Sequence, residues 1–256
     1  MSEAIVELTQ KNGVAVLALA NPPVNALSVR LIAAIHDALD QVERDRGLRV
    51  LRLQSALKVF CAGADLGEMR ANLANPESVD AQIESVRDIQ VLLMRLEKLA
   101  MTTVAEVSGV AMGGGLELAL ACDFRVAANE AKLALPETNL GLIPGAGGTQ
   151  RLTALCGAAI AKRMILGAEI LDGATAAALG VVHWAVPRAE LASFTEELTE
   201  RLGKLPRAAT AAAKACIAAY TDPSRNGYEE ELQATKDLLL HEPETRTRVE
   251  AFLAKK

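Results

Sequence analysis

Three consecutive glycines, Gly113-Gly114-Gly115, stand between an apolar run that reads as a strand, Thr102 to Val107, and one that reads as a short helix, Leu116 to Cys122. Without side chains, the head of that helix can be approached closely by another backbone or by a ligand. The first N–H groups of a helix have no internal partner and carry the positive end of its dipole. A bare helix start can therefore donate to a ligand oxygen. A tight turn or close helix packing uses the same residues, and for an isolated triplet those uses are the commoner ones.

The rest of the chain reads as strands alternating with helices, which implies an α/β core. Val14 to Ala20 is a short apolar run expected to be a buried strand. Ser28 is placed to cap a helix whose apolar face is Leu31, Ile35, Leu39 and Val42, ended by Gly47. Arg49 to Gln54 reads as the next strand. After a loop, Asn75-Pro76 is expected to open a long helix carrying Ile83, Val86, Ile89, Leu93 and Leu96 on one face. Phe124 to Ala127, Lys132 to Leu135 and Val181 to Val186 are further strand candidates. From Thr149 onward the pattern is mostly helical, and from about Glu190 to Lys256 it suggests three or four helices punctuated by Pro206, Pro223 and Pro243. The expected division is a catalytic core over 1–190 and a helical region over 191–256, the latter for oligomer contacts. No internal sequence repeat is visible.

Composition narrows the function. The 256 residues are 51% hydrophobic, enough for a large core, with a formal charge of −5. A nucleic-acid binder usually shows a basic face with stacking aromatics; this chain has only seven aromatics and no dense Lys/Arg tract. No stretch approaches the roughly 20 apolar residues needed to span a bilayer, and Met1-Ser2-Glu3-Ala4 lacks the pattern of a secretory signal. Cys61, Cys122, Cys156 and Cys216 are isolated, as are His36, His183 and His241, so no metal site or disulfide framework is expected. These features together predict a cytoplasmic protein.

Three segments carry chemistry: Lys58-Val59-Phe60-Cys61-Ala62-Gly63-Ala64-Asp65-Leu66, the stretch Ser108 to Glu117, and Leu135-Pro136-Glu137 running to Leu152. Gly145-Ala146-Gly147 lacks the third glycine of a dinucleotide fingerprint, and neither Gly-Lys-Ser/Thr nor Gly-x-Ser-x-Gly occurs. Glu117 lies in an apolar helix with no nearby cation in sequence; a carboxylate buried there has a raised pKa or a task, and one facing solvent has neither. Glu137 follows a proline at a strand end, where a side chain is held stiffly, although alone it reads as an ordinary loop carboxylate.

Together these segments closely resemble the crotonase, or enoyl-CoA hydratase/isomerase, family. The resemblance rests on Ala-Gly-Ala-Asp, Gly-Gly-Gly-x-Glu and Pro-Glu-x-x-x-Gly-x-x-Pro-Gly-x-Gly-Gly-Thr-Gln-Arg-Leu in order, and runs from Asn21-Pro22-Pro23-Val24-Asn25 to Ala251-Phe252-Leu253. It implies a spiral of repeated ββα turns with a helical C-terminal part, assembled as trimers or hexamers. It implies an oxyanion hole formed by the N–H groups of Ala64 and Gly114, and two catalytic glutamates, Glu117 and Glu137. Many isomerases, dehalogenases and decarboxylases of the family lack one or both glutamates, so the pair selects a hydratase; an isomerase, another lyase or a silent CoA-binding relative is the alternative. The resemblance further implies that Ala62 meets the CoA adenine, that Lys58 approaches the CoA phosphates, and that Val24, Asp65 and Leu66 are substrate-binding positions. Phe252, Lys255 and Lys256 resemble a tail covering a neighbouring subunit's CoA, although Arg248-Val249-Glu250 stands where relatives often carry Glu-Gly. The acyl-CoA is the expected partner, and no separate cofactor is implied, CoA being part of the substrate.

Overall fold

A computed structural model describes residues 4–73 and 78–254. Among the described residues, nine strands form two sheets. Six strands make the larger: β1 (Val6–Lys11), β2 (Val14–Leu19), β3 (Val50–Ser55), β4 (Thr102–Val107), β6 (Phe124–Ala128) and β9 (Trp184–Val186), in that spatial order. Only β1 runs antiparallel, paired to β2. The smaller sheet holds β5 (Val110–Met112), β7 (Lys132–Ala134) and β8 (Leu171–Asp172).

The connections make a spiral. Parallel neighbours require a crossover between them, and each crossover here adds one segment to a second layer before its helix. After β4 the chain enters β5, then α4 (Gly114–Leu120); after β6 it enters β7, then α5 (Gly148–Ile165). One coil earlier, β3 leads to Cys61, which bridges in parallel to Ala111 of β5, and then to α2 (Leu66–Leu73) and α3 (Val79–Lys98). Earlier still, β2 leads to Leu27, bridged in parallel to Ala64, and then to α1 (Val29–Arg44). Leu27, residues 61–64, β5 and β7 therefore stack as successive rungs. The repeat is geometric, which is why no sequence repeat announces it.

The expected strands and their buried character hold where both faces are covered, since such strands read as continuous apolar runs. Val14–Leu19 and Thr102–Val107 are almost wholly buried. Ser28 caps α1 as expected, its hydroxyl accepting from the Leu31 N–H, and Leu31, Ile35, Leu39 and Val42 are buried. β1 was not foreseen because it is an edge strand with Glu7, Thr9, Gln10 and Lys11 and little burial. The stretch expected as a loop after β3 contains α2. Asp65 explains the difference: its Oδ1 accepts from the Gly67 and Glu68 N–H groups at 2.8 and 3.1 Å, capping that helix. Asn75-Pro76 lies outside the described residues. The helix expected over Leu116 to Cys122 spans Gly114–Leu120, beginning within the glycine triplet.

After β8 comes the short α6 (Gly173–Ala178), and in the C-terminal region α7 (Arg188–Gly203) lies across β2, β3, β4, β6 and β9, with residue 190 inside it. Between these strands and α7, Arg52 pairs with Glu106, both largely buried. The helices α8 (Arg207–Ala219), α9 (Gly227–His241) and α10 (Pro243–Leu253) follow. Arg49 at the start of β3 donates to Leu205 O and Glu244, while Arg248 donates to Lys204 O and Glu244, tying α10 to the core.

Two backbones meet almost without clearance where rung 61–64 crosses the head of α4. A Cβ on Gly115 would lie 2.0 Å from the Cys61 carbonyl oxygen, a distance no real Cβ tolerates. Gly115→Ala should therefore lower stability by about 1–3 kcal/mol, the usual cost of overpacking. A urea midpoint equal to that of the parent protein would show that the two segments are further apart.

Candidate active site

At the crossing of the second-layer rung and α4, Ala64 and Gly114 come together. A Cβ on Gly114 would lie 3.5 Å from Ala64 N, and one on Gly63 would lie 3.1 Å from Gly114 N. The N–H of Gly113 donates to Ala134 O at 3.0 Å, and the N–H of Leu27 donates to Gly63 O at 2.8 Å. Among the described residues, the Ala64 and Gly114 N–H groups have no acceptor within the protein. They are two unpaired amides brought side by side at this crossing, one of them at a helix start. Gly113, with φ +52, makes the turn into α4.

Asn25 braces the rung from beneath. It is fully buried, with φ +53, and its Nδ2 donates to Ser55 Oγ at 2.8 Å and Phe60 O at 2.9 Å. Cys61 Sγ donates in turn to Asn25 O at 3.0 Å. Sequence reasoning quoted Asn25 only as part of a motif; its positive φ and buried amide, visible only in three dimensions, identify what it does. Cys61 itself is fully buried, and burial pushes its thiol up to about 12, which keeps it neutral.

Two carboxyl groups flank the crossing. Glu117, one turn into α4, is 2% exposed, and its Oε1 accepts from the N–H groups of Ala146 and Gly148 at 2.8 and 2.7 Å. Gly148 must be bare for this, because a Cβ there would sit 2.9 Å from that oxygen. Burial raises the Glu117 pKa, while the Gly148 and Ala146 amides and the charge of Arg151 oppose the rise. Glu137 begins a single 3₁₀ turn, Glu137–Leu140, after β7 and Pro136. The turn is anchored by Thr138 Oγ1 donating to Ile165 O at 2.8 Å. Glu137 faces the glycine triplet: a Cβ on Gly113 would be 2.8 Å from its Oε1, and its Oε2 is buried with no partner among the described residues. Burial pushes Glu137 up to about 7, with the charge of Glu117 contributing in the same direction. Two carboxyl groups and two free amides thus share one site, with different proton affinities set by different surroundings.

The other expected contact residues are more scattered. Ala62 is exposed, its N–H donating to Val24 O at 3.0 Å, which joins those two positions. Lys58 and Leu66 are exposed beside the same rung, and Asp65 caps α2. Phe252 is exposed on α10, and Lys255 and Lys256 lie outside the described residues. A pocket adjoining Ala64 is walled by Leu27 and by Ile32, Met69, Val86 and Ile89 from α1, α2 and α3. Sequence reasoning did not single out Arg151 or Glu97, whose hydrogen bonds support the loop holding Glu117; only their spatial meeting reveals them.

Known proteins resemble this chain along most of its length. The sequence model of a family described as enoyl-CoA hydratase/isomerase matches residues 9–256. A probable enoyl-CoA hydratase of Bacillus subtilis (strain 168) is 42% identical over 177 residues, 69% of this chain and 67% of that protein. The mitochondrial methylglutaconyl-CoA hydratase of Mus musculus is 43% identical over 159 residues, 62% of this chain and 49% of that relative. The crystal structure of an enoyl-CoA hydratase from Bacillus anthracis superposes with a TM-score of 0.89 at 33% identity, covering 98% of this chain and 97% of that one. No helix among the described residues is long and apolar enough to cross a membrane.

The proton affinity of Glu137 has a consequence for stability. Its folded-state pKa, about 7, exceeds its ordinary value of 4.5, so between those pH values the folded protein holds a proton that the unfolded chain has lost. Its contribution is fully present below 4.5 and is lost as pH rises through about 7. Glu137→Gln removes that dependence. Its urea midpoint should exceed the parent's at about pH 8, with the gain shrinking towards about pH 5; a gain that is constant across that range would contradict the assigned environment.

Proposed function

The chain belongs to the enoyl-CoA hydratase/isomerase family, and on that footing we propose that it is a hydro-lyase adding water reversibly across the 2,3 double bond of an enoyl-CoA thioester. The observation that carries the proposal is a pair of unequal carboxyl groups, Glu117 buried and Glu137 half-buried with its Oε2 enclosed, beside two unpaired main-chain amides.

In this mechanism the thioester carbonyl oxygen accepts from the Ala64 and Gly114 N–H groups. Water attacking C3 pushes electron density onto that oxygen, and preorganised donors stabilise the resulting enolate-like state more than the ground state. Glu117 takes a proton from the water. Both amides that hold it aim at Oε1, which leaves Oε2 for the water. Glu137, with a pKa of about 7, is protonated in a substantial fraction of molecules near neutrality and delivers its proton to C2 through the unpartnered Oε2. The result is one water added per double bond, with one proton moved from Glu137 to carbon and one from water to Glu117. Passing that proton from Glu117 back to Glu137 restores the starting state, and the two groups titrate as a coupled pair. CoA enters as part of the substrate, with Lys58, Ala62, Val24, Asp65, Leu66 and the tail residues Phe252 and Lys255 proposed as its contacts.

The acyl group is a finer question, since the relatives include hydratases named for different acyl-CoAs. A panel of crotonyl-CoA, longer enoyl-CoAs and branched enoyl-CoAs, followed by loss of absorbance of the conjugated thioester, ranks them and separates hydration from isomerisation. We also propose a trimer or hexamer. Helices α9 and α10 bury no residue within one chain, and Ile217, Tyr220, Tyr228 and Leu232 are exposed on α8, on α9 and between them; light scattering gives the assembly directly.

Replacing Glu137 or Glu117 by glutamine should lower crotonyl-CoA hydration by about 10²–10⁴-fold, the usual worth of a positioned acid or base. Gly114→Pro probes the amide itself: proline is tolerated at the first residue of a helix and deletes the N–H, and because its ring would press on Leu27 and the 63–64 backbone a urea midpoint is measured alongside to select folded protein. A loss of about 10²–10³-fold in kcat is expected. Near-parent turnover in a folded Gly114→Pro protein removes the oxyanion assignment.

A further inference from the structure

Helix α3 grips the loop that holds Glu117. Val86, Gln90 and Glu97 lie on one face of α3, spaced as side chains one and two turns apart. A Cβ on Gly145 would be 2.9 Å from Val86 Cγ1, and Gln90 Nε2 donates to Gly145 O at 2.6 Å. The next carbonyl, Ala146 O, accepts from Arg151 Nη1 at 2.7 Å. The same guanidinium donates through Nε and Nη2 to the two oxygens of Glu97, both at 2.9 Å. Gly147 is at φ +100, and a Cβ there would fall 2.4 Å from Arg151 Nη1, so the Nη1 edge of the guanidinium lies against the loop. Arg151 is only 12% exposed, unlike surface pairs such as Arg163–Glu169, and it is geometrically engaged on both sides.

We propose that Arg151, oriented by Glu97, is a positioning residue for Glu117: by fixing residues 145–148 against α3 it keeps the Ala146 and Gly148 amides aimed at one carboxylate oxygen. The proposal rests on the hydratase reading of Glu117. The charged and titratable groups around Glu117 are Glu137 from the 3₁₀ turn and Arg151 from α5, with Glu97 of α3 meeting Arg151, and the neutral thiol of Cys61 against Gly115. Removing the guanidinium takes away both a strut and the positive charge favouring the ionised form of Glu117.

The test compares Arg151→Met, Arg151→Lys and Glu97→Gln with the parent enzyme. Two readings are taken: kcat and KM for crotonyl-CoA across pH, and the Glu117 carboxylate band in isotope-edited infrared titration, identified by its absence in Glu117→Gln. Arg151→Met should lose about 10–100-fold in kcat, as small displacements of reacting groups do, with KM within about twofold. Its acid limb and its Glu117 band should both move to higher pH. Arg151→Lys, which keeps the charge but cannot reach Ala146 O and Glu97 together, should lie between it and the parent. A raised KM at unchanged kcat, or a Glu117 band that does not move in Arg151→Met, overturns the proposal. If Arg151→Met does not fold, Glu97→Gln decides, since Glu97 is half-exposed: a several-fold lower kcat at an unchanged thermal midpoint supports the proposal, and an unchanged kcat overturns it. The infrared titration needs no substrate, and a Glu117 band that moves in Arg151→Lys, where the charge is kept, reports positioning even if the parent protein hydrates no enoyl-CoA in the panel, a result that would sink the hydratase reading instead.

Discussion

The carbonyl of Cys61 lies where the side chain of any residue other than glycine at 115 would begin. That near-contact brings rung 61–64 against the head of α4, and most of the site follows from it. Because the backbones touch, the Ala64 and Gly114 amides converge from different coils of the chain. Because Gly114 opens a helix, its N–H has no partner within that helix. Because Gly113 carries no side chain, Glu137 can reach in from the third coil. Asn25 secures the arrangement from the far side by committing a buried side-chain amide to the carbonyls of Val59 and Phe60, just before that rung. A buried polar group with several good partners is worth keeping, whereas a partly satisfied one is a liability.

The two carboxyl groups differ because their surroundings differ. Both are pushed upward by burial. Glu117 receives two main-chain hydrogen bonds and the field of Arg151, all of which favour the charged form. Among its causes, Glu137 has only a hydrogen bond from its own backbone on that side, and it also feels the charge of Glu117. Pairs of titratable groups driven apart in this way are how one pocket holds both an acid and a base at one pH. The separation is built from bare glycine backbone at 113 and 148 as much as from the glutamates themselves.

Much of this was legible in the sequence, and the remainder was not for physical reasons. The core strands β2 and β4 announce themselves as apolar runs because they are covered on both faces, and Ser28 marks the start of α1 because a hydroxyl there satisfies an orphan amide. The glycine triplet and the two glutamates were visible as residue types, but only their meeting in space separates a tight turn from an anion site. The edge strand β1 was hidden by its polar side chains, and α2 by the assumption that a stretch after a motif is a loop, when Asp65 caps it. Glu97 and Arg151 are 54 residues apart, and no local pattern joins an ordinary surface-facing glutamate to an arginine one turn into another helix. The spiral itself was invisible from periodicity, since the coils share geometry and not sequence; the family resemblance alone implied it.

The stacked rungs also separate two kinds of change open to such a chain. Ala64, Gly114 and Glu137 come from three successive coils whose strands and bridges are held in register by parallel pairing. The helices and connections outside those rungs are not bound by that register. Helices α2 and α3, which wall the pocket beside Ala64, fall between one rung and the next strand, so length added or removed there shifts no paired residue. In a lineage built on this plan, the chemistry is inherited through the stacked backbone, while appetite for one acyl group or another can drift in the excursions between coils.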